Sequence, residues 1–167
     1  MGVEEVRAFF ADRGLSHAVR ELEKSTETVD LASQATGVEP ALIAKTLALR
    51  VEGKGVILVT RGDARVDTKK FRLAFQAKPR MMSPEEVLAV TGHPVGGVCP
   101  FALKQPMDIF LDEGLRPLEK VYPAAGSHNS HIGIPPGELA RITGASRVDV
   151  CRDSREDVLH PPEGGTD

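Results

Sequence analysis

Residues 45–60 read KTLALRV-EGK-GVILVT, and this stretch decides the fold. Lys45 to Val51 and Gly55 to Thr60 are runs rich in leucine and β-branched residues, and Glu52-Gly53-Lys54 joins them with a glycine. That pattern predicts an antiparallel β-hairpin. The second run is apolar throughout, so it belongs in the interior.

Upstream of the hairpin, Val6, Phe9, Phe10 and Arg13 recur at helical spacing over Val3 to Arg13, with Gly14 as the stop. Ser16 to Leu22 reads as a short strand. Ser25 to Thr28 offers N-caps for a helix through Leu31, Ala32 and Ala35 that ends at Gly37. Pro40 to Ala44 then forms a helical turn. Downstream, Asp67 opens a helix through Phe71 and Ala74. Ser83-Pro84-Glu85-Glu86 is a capping box that opens another, ending at Gly92. Residues 93–106, HPVGGVCPFALKQP, have little periodicity and read as a loop held against the body. Asp108 to Asp112, Val121 to Ala124, His131 to Ile134 and Arg147 to Cys151 read as strands, and Pro136 to Thr143 as a short helix.

No strict βαβ alternation appears, and no glycine fingerprint follows a strand, which argues against a doubly wound nucleotide fold. The expectation is a mixed α+β fold with a mixed, partly closed, barrel-like sheet surrounded by helices. Residues 1–152 form its single domain, and 153–167 a flexible C-terminal tail.

The chain's 167 residues suffice for a core without disulfide or metal. With 6 Phe, 1 Tyr and no Trp, stacking of single-stranded nucleic acid on aromatics is disfavoured. Cys99 and Cys151 make neither a Cys-x-x-Cys unit nor a secreted disulfide framework. The acidic N-terminus and the lack of a long apolar run point to the cytoplasm and away from membranes. Net charge is −3, yet residues 61–80 hold seven basic residues against two acidic ones. That local +5 leaves −8 on the rest, so one face can attract a polyanion. A solvated helix with basic flanks accounts for the same composition.

Four places could carry chemistry. Lys45, at the start of an interior strand, can hold its ammonium over a cleft as a point charge, or simply snorkel at a strand edge. Gly96 and Gly97 can bring backbone N–H donors to a ligand, or form a tight turn. Cys99 is a nucleophile only with a base such as His93 or His128 beside it; otherwise it is packing. His128 and His131 have metal-like spacing but lack a recognisable third ligand.

Taken in order, Val38 to Leu49, the Gly-x-x-x-Pro loop at Gly96 to Pro100, Asp108 to Asp112, Tyr122 to Ser127 and Ile132 to Leu139 resemble the YbaK/prolyl-tRNA synthetase editing-domain family. These proteins are aminoacyl-tRNA deacylases. The resemblance runs from about residue 5 to 151. It implies a trans-acting hydrolase that cleaves the ester of a mischarged tRNA, with tRNA-Pro bearing alanine or cysteine as substrate and no cofactor or metal. It implies catalytic roles for Lys45, Gly96 and Gly97, and a substrate pocket shaped by Val98, Cys99, Pro100, Gly126, Ser127 and His128. It also implies tRNA contacts at Arg61, Arg65, Lys69, Lys70 and Arg72. Mischarged tRNA is the expected partner, with prolyl-tRNA synthetase a second. Two other readings remain open here: a non-catalytic module that binds aminoacyl-tRNA or a synthetase, and a thiol- or metal-dependent small-molecule hydrolase.

Overall fold

In a computed structural model, residues 2–15 and 19–153 are described. The hairpin lies at its centre. Strands β2 (Ile43–Val51) and β3 (Lys54–Arg61) pair antiparallel from Ala44 opposite Arg61 to Val51 opposite Lys54. The turn is two residues, Glu52 and Gly53, with φ of 51° and 80°. Two positive φ values give the turn the twist of the strands it joins, so Lys54 belongs to β3 rather than to the connection.

Further strands extend the hairpin on both sides. Next to β3 runs β6 (Asp108–Asp112), and next to β6 runs β9 (Ser146–Val148), both parallel. The outer edge of β2 is shared. Tyr122–Pro123 (β7) pairs parallel with Ile43 and Ala44, while Arg80–Met81 (β5) pairs antiparallel with Leu49 and Arg50. Two small sheets complete the set: β1 (Arg20–Glu21) with β8 (Ser130–His131), and β4 (Ala64–Val66) with β10 (Cys151–Asp153).

The expected barrel-like closure is corrected: the sheet runs β5-β2-β3-β6-β9 and stays open among the described residues. Closure needs strands long enough to carry a continuous stagger. Here β5 and β7 are two residues each and occupy the same edge. Other expectations are trimmed. Within 16–22 only Arg20–Glu21 is a strand, and 16–18 lie outside the described residues. The stretch 131–134 contributes His131 and one bridge from Ile134 to Val121. The predicted strand Arg147 to Cys151 splits in two, because the Val150 N–H donates to Asp112 Oδ1 at 2.9 Å instead of to a neighbouring strand. Strand β10 reaches Asp153, the first residue of the expected tail, whose remaining residues 154–167 lie outside the described set.

The helices follow their caps. Helix α1 (Val3–Asp12) precedes the first strand, and α2 (Val29–Thr36) starts at Thr28, whose hydroxyl accepts from the Leu31 N–H at 3.1 Å. Asp67 caps α3 (Thr68–Phe75), Ser83 and Glu86 form the expected box on α4 (Pro84–Thr91), and α5 is Pro136–Thr143. Alternation along the hairpin divides the core. Ala44, Ala48, Ile57 and Val59 pack with Val6, Phe10, Phe101, Leu111 and Leu139. Leu49, Val56 and Leu58 face the other way, onto Ala64, Phe71 and Val150. No helix among the described residues is long and apolar enough to cross a membrane.

Between its contacts with β7 and β5, β2 has no strand beside it among the described residues. The Ala48 carbonyl accepts from the Met82 N–H at 3.2 Å, so Ala48 directs its backbone polar groups to this outer edge. Backbone direction repeats every second residue in a strand. Thr46, midway between Ala44 and Ala48, therefore turns its own N–H and C=O toward the gap.

Candidate functional site

A cleft of about 470 Å³ lies over that gap. Its floor is β2, where the free edge gives access to side chains of both faces, Lys45 and Leu47 on one side and Thr46 and Ala48 on the other. Thr26 to Val29 form one wall, Met82 and Val87 another, and Gly96 and Val98 a third. Tyr122 and His131 close the end beside β7. The lining is mainly apolar with a few polar groups, which is the usual make-up of a small-ligand site.

Lys45 is half-buried, and its Nζ donates to the Ala64 carbonyl at 2.9 Å. That bond points the stem toward β4 and leaves two N–H donors for another partner. Burial pulls its pKa below the ordinary lysine value; Arg65 adds to the shift, and Cys151 and Asp63 oppose it. Its position in the third place of β2, rather than the first, comes from Ile43 and Ala44 joining the strand through β7.

The glycine loop behaves differently from the expectation. Gly96 has φ of 91° and lies against Glu27, where an added Cβ would come within 2.6 Å of the Glu27 Cβ. Gly97 is buried and does not line the cleft. Its carbonyl accepts from the Gly126 N–H at 3.0 Å, and a Cβ there would stand 2.6 Å from the Ser127 nitrogen. The close approach that glycine permits at Gly97 is thus backbone on backbone within the protein, which corrects its reading as a donor facing the substrate. Of the loop, Gly96 and Val98 reach the cleft, while Cys99 and Pro100 are buried behind it.

Gly126, Ser127 and His128 also fail to reach the cleft wall. The Ser127 hydroxyl is engaged with Asn129 Oδ1 at 2.9 Å and with Ser130 Oγ at 2.8 Å. His128 is exposed. Its contribution is its carbonyl, which accepts from the Thr26 N–H at 2.5 Å and the Thr26 hydroxyl at 3.2 Å, tying the 126–130 turn to the wall before α2. The histidine that does line the cleft is His131, whose ring lies 6.1 Å from that of Tyr122. Its Nδ1 is buried without a hydrogen-bond partner among the described residues. Burial, reinforced by Arg20, depresses its pKa, so the neutral ring is favoured at neutral pH. Among the described residues, no group of three or more His, Cys, Asp or Glu side chains is placed to hold a metal ion.

Sequence reasoning also passed over Thr46. The clue was available: Ala44-x-Thr46-x-Ala48 places one hydroxyl on an otherwise apolar strand face. Its Oγ1 is buried without a partner among the described residues.

Cys99 is fully buried, and burial pushes its thiol up to about 12. His93 Nε2 stands 3.6 Å from the sulfur but also 2.7 Å from the Phe101 carbonyl. Only a protonated nitrogen can make the second contact, so Nε2 carries hydrogen and cannot take the thiol proton. Cys99→Ala is therefore expected to keep any activity carried by the cleft within a few-fold of the parent, and to lose about 1 kcal/mol of stability through the small void. Turnover and melting curves of the purified variant check both parts.

The expected nucleic-acid contacts separate into two groups. Arg61 pairs with Asp63 at 2.8 Å, and Lys70 donates to Asp149 at 3.2 Å and the Cys151 carbonyl at 3.0 Å, so both are engaged within the fold. Arg65 on β4 and Lys69 and Arg72 on α3 are exposed. The Ala64 carbonyl that holds Lys45 directly precedes Arg65.

An open mixed sheet wrapped by helices, with a cleft at a split strand edge, defines the class. The chain belongs to the aminoacyl-tRNA editing domain family, whose profile matches residues 23–142. It is 44% identical to the uncharacterized protein YwhH of Bacillus subtilis, over 92% of this chain and 99% of that one. It is 27% identical to a proline–tRNA ligase of Bacillus licheniformis, over 72% of this chain but only 22% of the ligase. Among solved structures, one described as a candidate trans-editing enzyme for prolyl-tRNA synthetase superposes with a TM-score of 0.83 at 32% identity, covering 90% of this chain and 97% of that chain.

Proposed function

We propose that this protein is a trans-acting deacylase that hydrolyses the ester of a mischarged tRNA, with tRNA-Pro carrying alanine or cysteine as substrate. The observation that carries the reading is the cleft itself, with a half-buried lysine and an unpaired strand edge in its floor. Family membership and similarity to part of a proline–tRNA ligase support the choice of ester and of tRNA.

An aminoacyl ester is already labile, so the protein's main task is to hold it and let water reach the carbonyl. Lys45 meets the phosphate or ribose end of the terminal nucleotide as a point charge and keeps it in register. Gly96 and Val98 bound the space for the amino-acid side chain, and a pocket of this kind rejects an oversized ring by clash. Exclusion of proline protects correctly charged tRNA. Arg65, Lys69 and Arg72 attract the acceptor stem, which makes binding weak and salt-sensitive.

The test is release of free amino acid from alanyl-, cysteinyl-, seryl-, threonyl- and prolyl-tRNA by the purified protein. Release from the alanyl or cysteinyl esters with the prolyl ester spared is the expected result. Inactivity on the whole panel, with tRNA bound and intact, would leave a non-catalytic binding module instead.

A further inference from the structure

The cleft has two unlike halves, because its floor is a strand with both faces in reach. Ala44, Thr46 and Ala48 leave one face of β2, where Ala44 and Ala48 pack with Met82 and Val87, and Val98 lies against them. That half is small and aliphatic. Lys45 and Leu47 leave the other face. There Tyr122 stands opposite Ile43 in the parallel pairing of β7 with β2, and so shares the face of Ile43, Lys45 and Leu47. His131, which bridges to Ala124 two residues beyond Tyr122, belongs to that face as well. This half is cationic and aromatic.

Tyr122 is the chain's single tyrosine. The bridges of Val121 to Ile134 and of Ala124 to His131 set it opposite Gly133, so its ring covers bare backbone. A Cβ added at Gly133 would come within 2.9 Å of Tyr122 Cε1 and 3.1 Å of Lys120 Cδ. One side of the half-buried ring is thus packed on the protein, and the residue also lines the cleft. The His131 ring stands 6.1 Å away, tilted by 51°. Lys45 lies two residues along β2 from the partner of Tyr122. One strand spacing and two residue rises put the two backbones about 8 Å apart. A π-face and an ammonium at that separation suit a flat base carried on a phosphorylated sugar. A run of bases would need several rings, which the chain lacks, but a single terminal base needs only one.

We infer that the Tyr122 ring is the platform on which the terminal base of the tRNA stacks, with the His131 ring beside it and the Lys45 ammonium at the sugar and phosphate. The inference rests on the deacylase reading and deepens it. The esterified amino acid then crosses the unpaired edge of β2 into the aliphatic half, toward Val98 and Val87. Stacking reads that a base is present rather than which base it is. The platform therefore holds the end of any tRNA and leaves selection to the amino-acid half and the basic face.

A single tyrosine makes the test site-specific. In protein labelled with ring-13C tyrosine, the Tyr122 signals are followed by NMR during titration with adenosine 5′-monophosphate and, in parallel, with ribose 5-phosphate. The expected result is a saturable upfield shift with the nucleotide, from the ring current of the stacked base, and no such shift with the sugar phosphate. Steady-state hydrolysis of alanyl-tRNA supplies the second readout. Tyr122→Leu should raise KM tenfold or more with a much smaller change in kcat. Tyr122→Phe should keep a KM close to the parent's, because stacking uses the ring and not the hydroxyl. The titration uses the parent protein, so it decides even where Tyr122→Leu does not fold. Tyr122 signals unmoved by the nucleotide, or an unchanged KM in a folded Tyr122→Leu variant, overturn the platform, and continued hydrolysis of alanyl-tRNA then leaves the deacylase reading intact. A nucleotide shift in a parent protein that hydrolyses no ester overturns the deacylase reading and keeps the nucleotide site.

Discussion

Lys45→Ala is expected to slow deacylation by about 100-fold or more while the protein still folds. Loss of one positioned electrostatic contact in a water-poor site typically costs that much. The site meets the conditions for such an effect. The side chain is half-buried, a single 2.9 Å bond to the Ala64 carbonyl fixes its direction, and no ion pair among the described residues neutralises it. The fold should survive because the losses are modest and partly opposed. One hydrogen bond is worth about 1 kcal/mol, and removing a charge that burial already disfavours offsets part of it. Lys45→Met separates charge from packing, since it keeps most of the apolar stem and removes the ammonium. Single-turnover hydrolysis of alanyl-tRNA at saturating protein gives the chemical step for both variants. Equal loss in Ala and Met assigns the effect to the charge. A parent-like rate in either folded variant takes Lys45 out of the machinery.

Why Lys45 could be singled out from sequence, while its surroundings could not, follows from the range of the interactions. The hairpin was legible because its signals are local: dense β-formers on both sides of a glycine turn, strong enough to outweigh alternatives. The Ser83 box was legible for the same reason, as Ser83 and Glu86 satisfy each other across three residues. The gap in the outer edge of β2 is a different matter. It exists because Arg80–Met81 and Tyr122–Pro123, two residues each and 41 positions apart, happen to pair at opposite ends of one strand. Segments that short carry no periodicity. The choice between His128 and His131 failed on the same ground. They lie three positions apart, yet one turns its ring to solvent and lends a carbonyl to Thr26, while the other lines the cleft. That difference is set by β8 pairing with β1, a contact more than a hundred residues away in sequence.

Gly97→Ala is expected to lower stability by about 3 kcal/mol, with a fall in melting temperature of roughly 5–10 °C, and to reduce activity as a consequence. A substrate-facing glycine would give the other outcome, an unchanged melting curve with narrower amino-acid acceptance. The neighbours decide between them. A Cβ on Gly97 would meet the Ser127 nitrogen at 2.6 Å, the Ser127 Cα at 2.7 Å and the Gly126 carbonyl carbon at 2.8 Å. All three are backbone atoms, so no side chain can rotate aside. Relief requires the 94–101 loop to lift from the 126–130 turn, stretching the 3.0 Å bond between the Gly126 N–H and the Gly97 carbonyl. That movement would displace Gly96 and Val98, which wall the cleft, so binding should weaken for every amino acid alike. Gly137→Ala is the matched control. It lies in the first turn of α5 with nothing within 4 Å of the added carbon, and alanine is the better helix former, so melting should stay level or rise slightly. If Gly97→Ala instead melts with the parent and only its choice among alanyl, cysteinyl and seryl esters changes, the loop is looser than this contact allows, and the glycine faces the substrate after all.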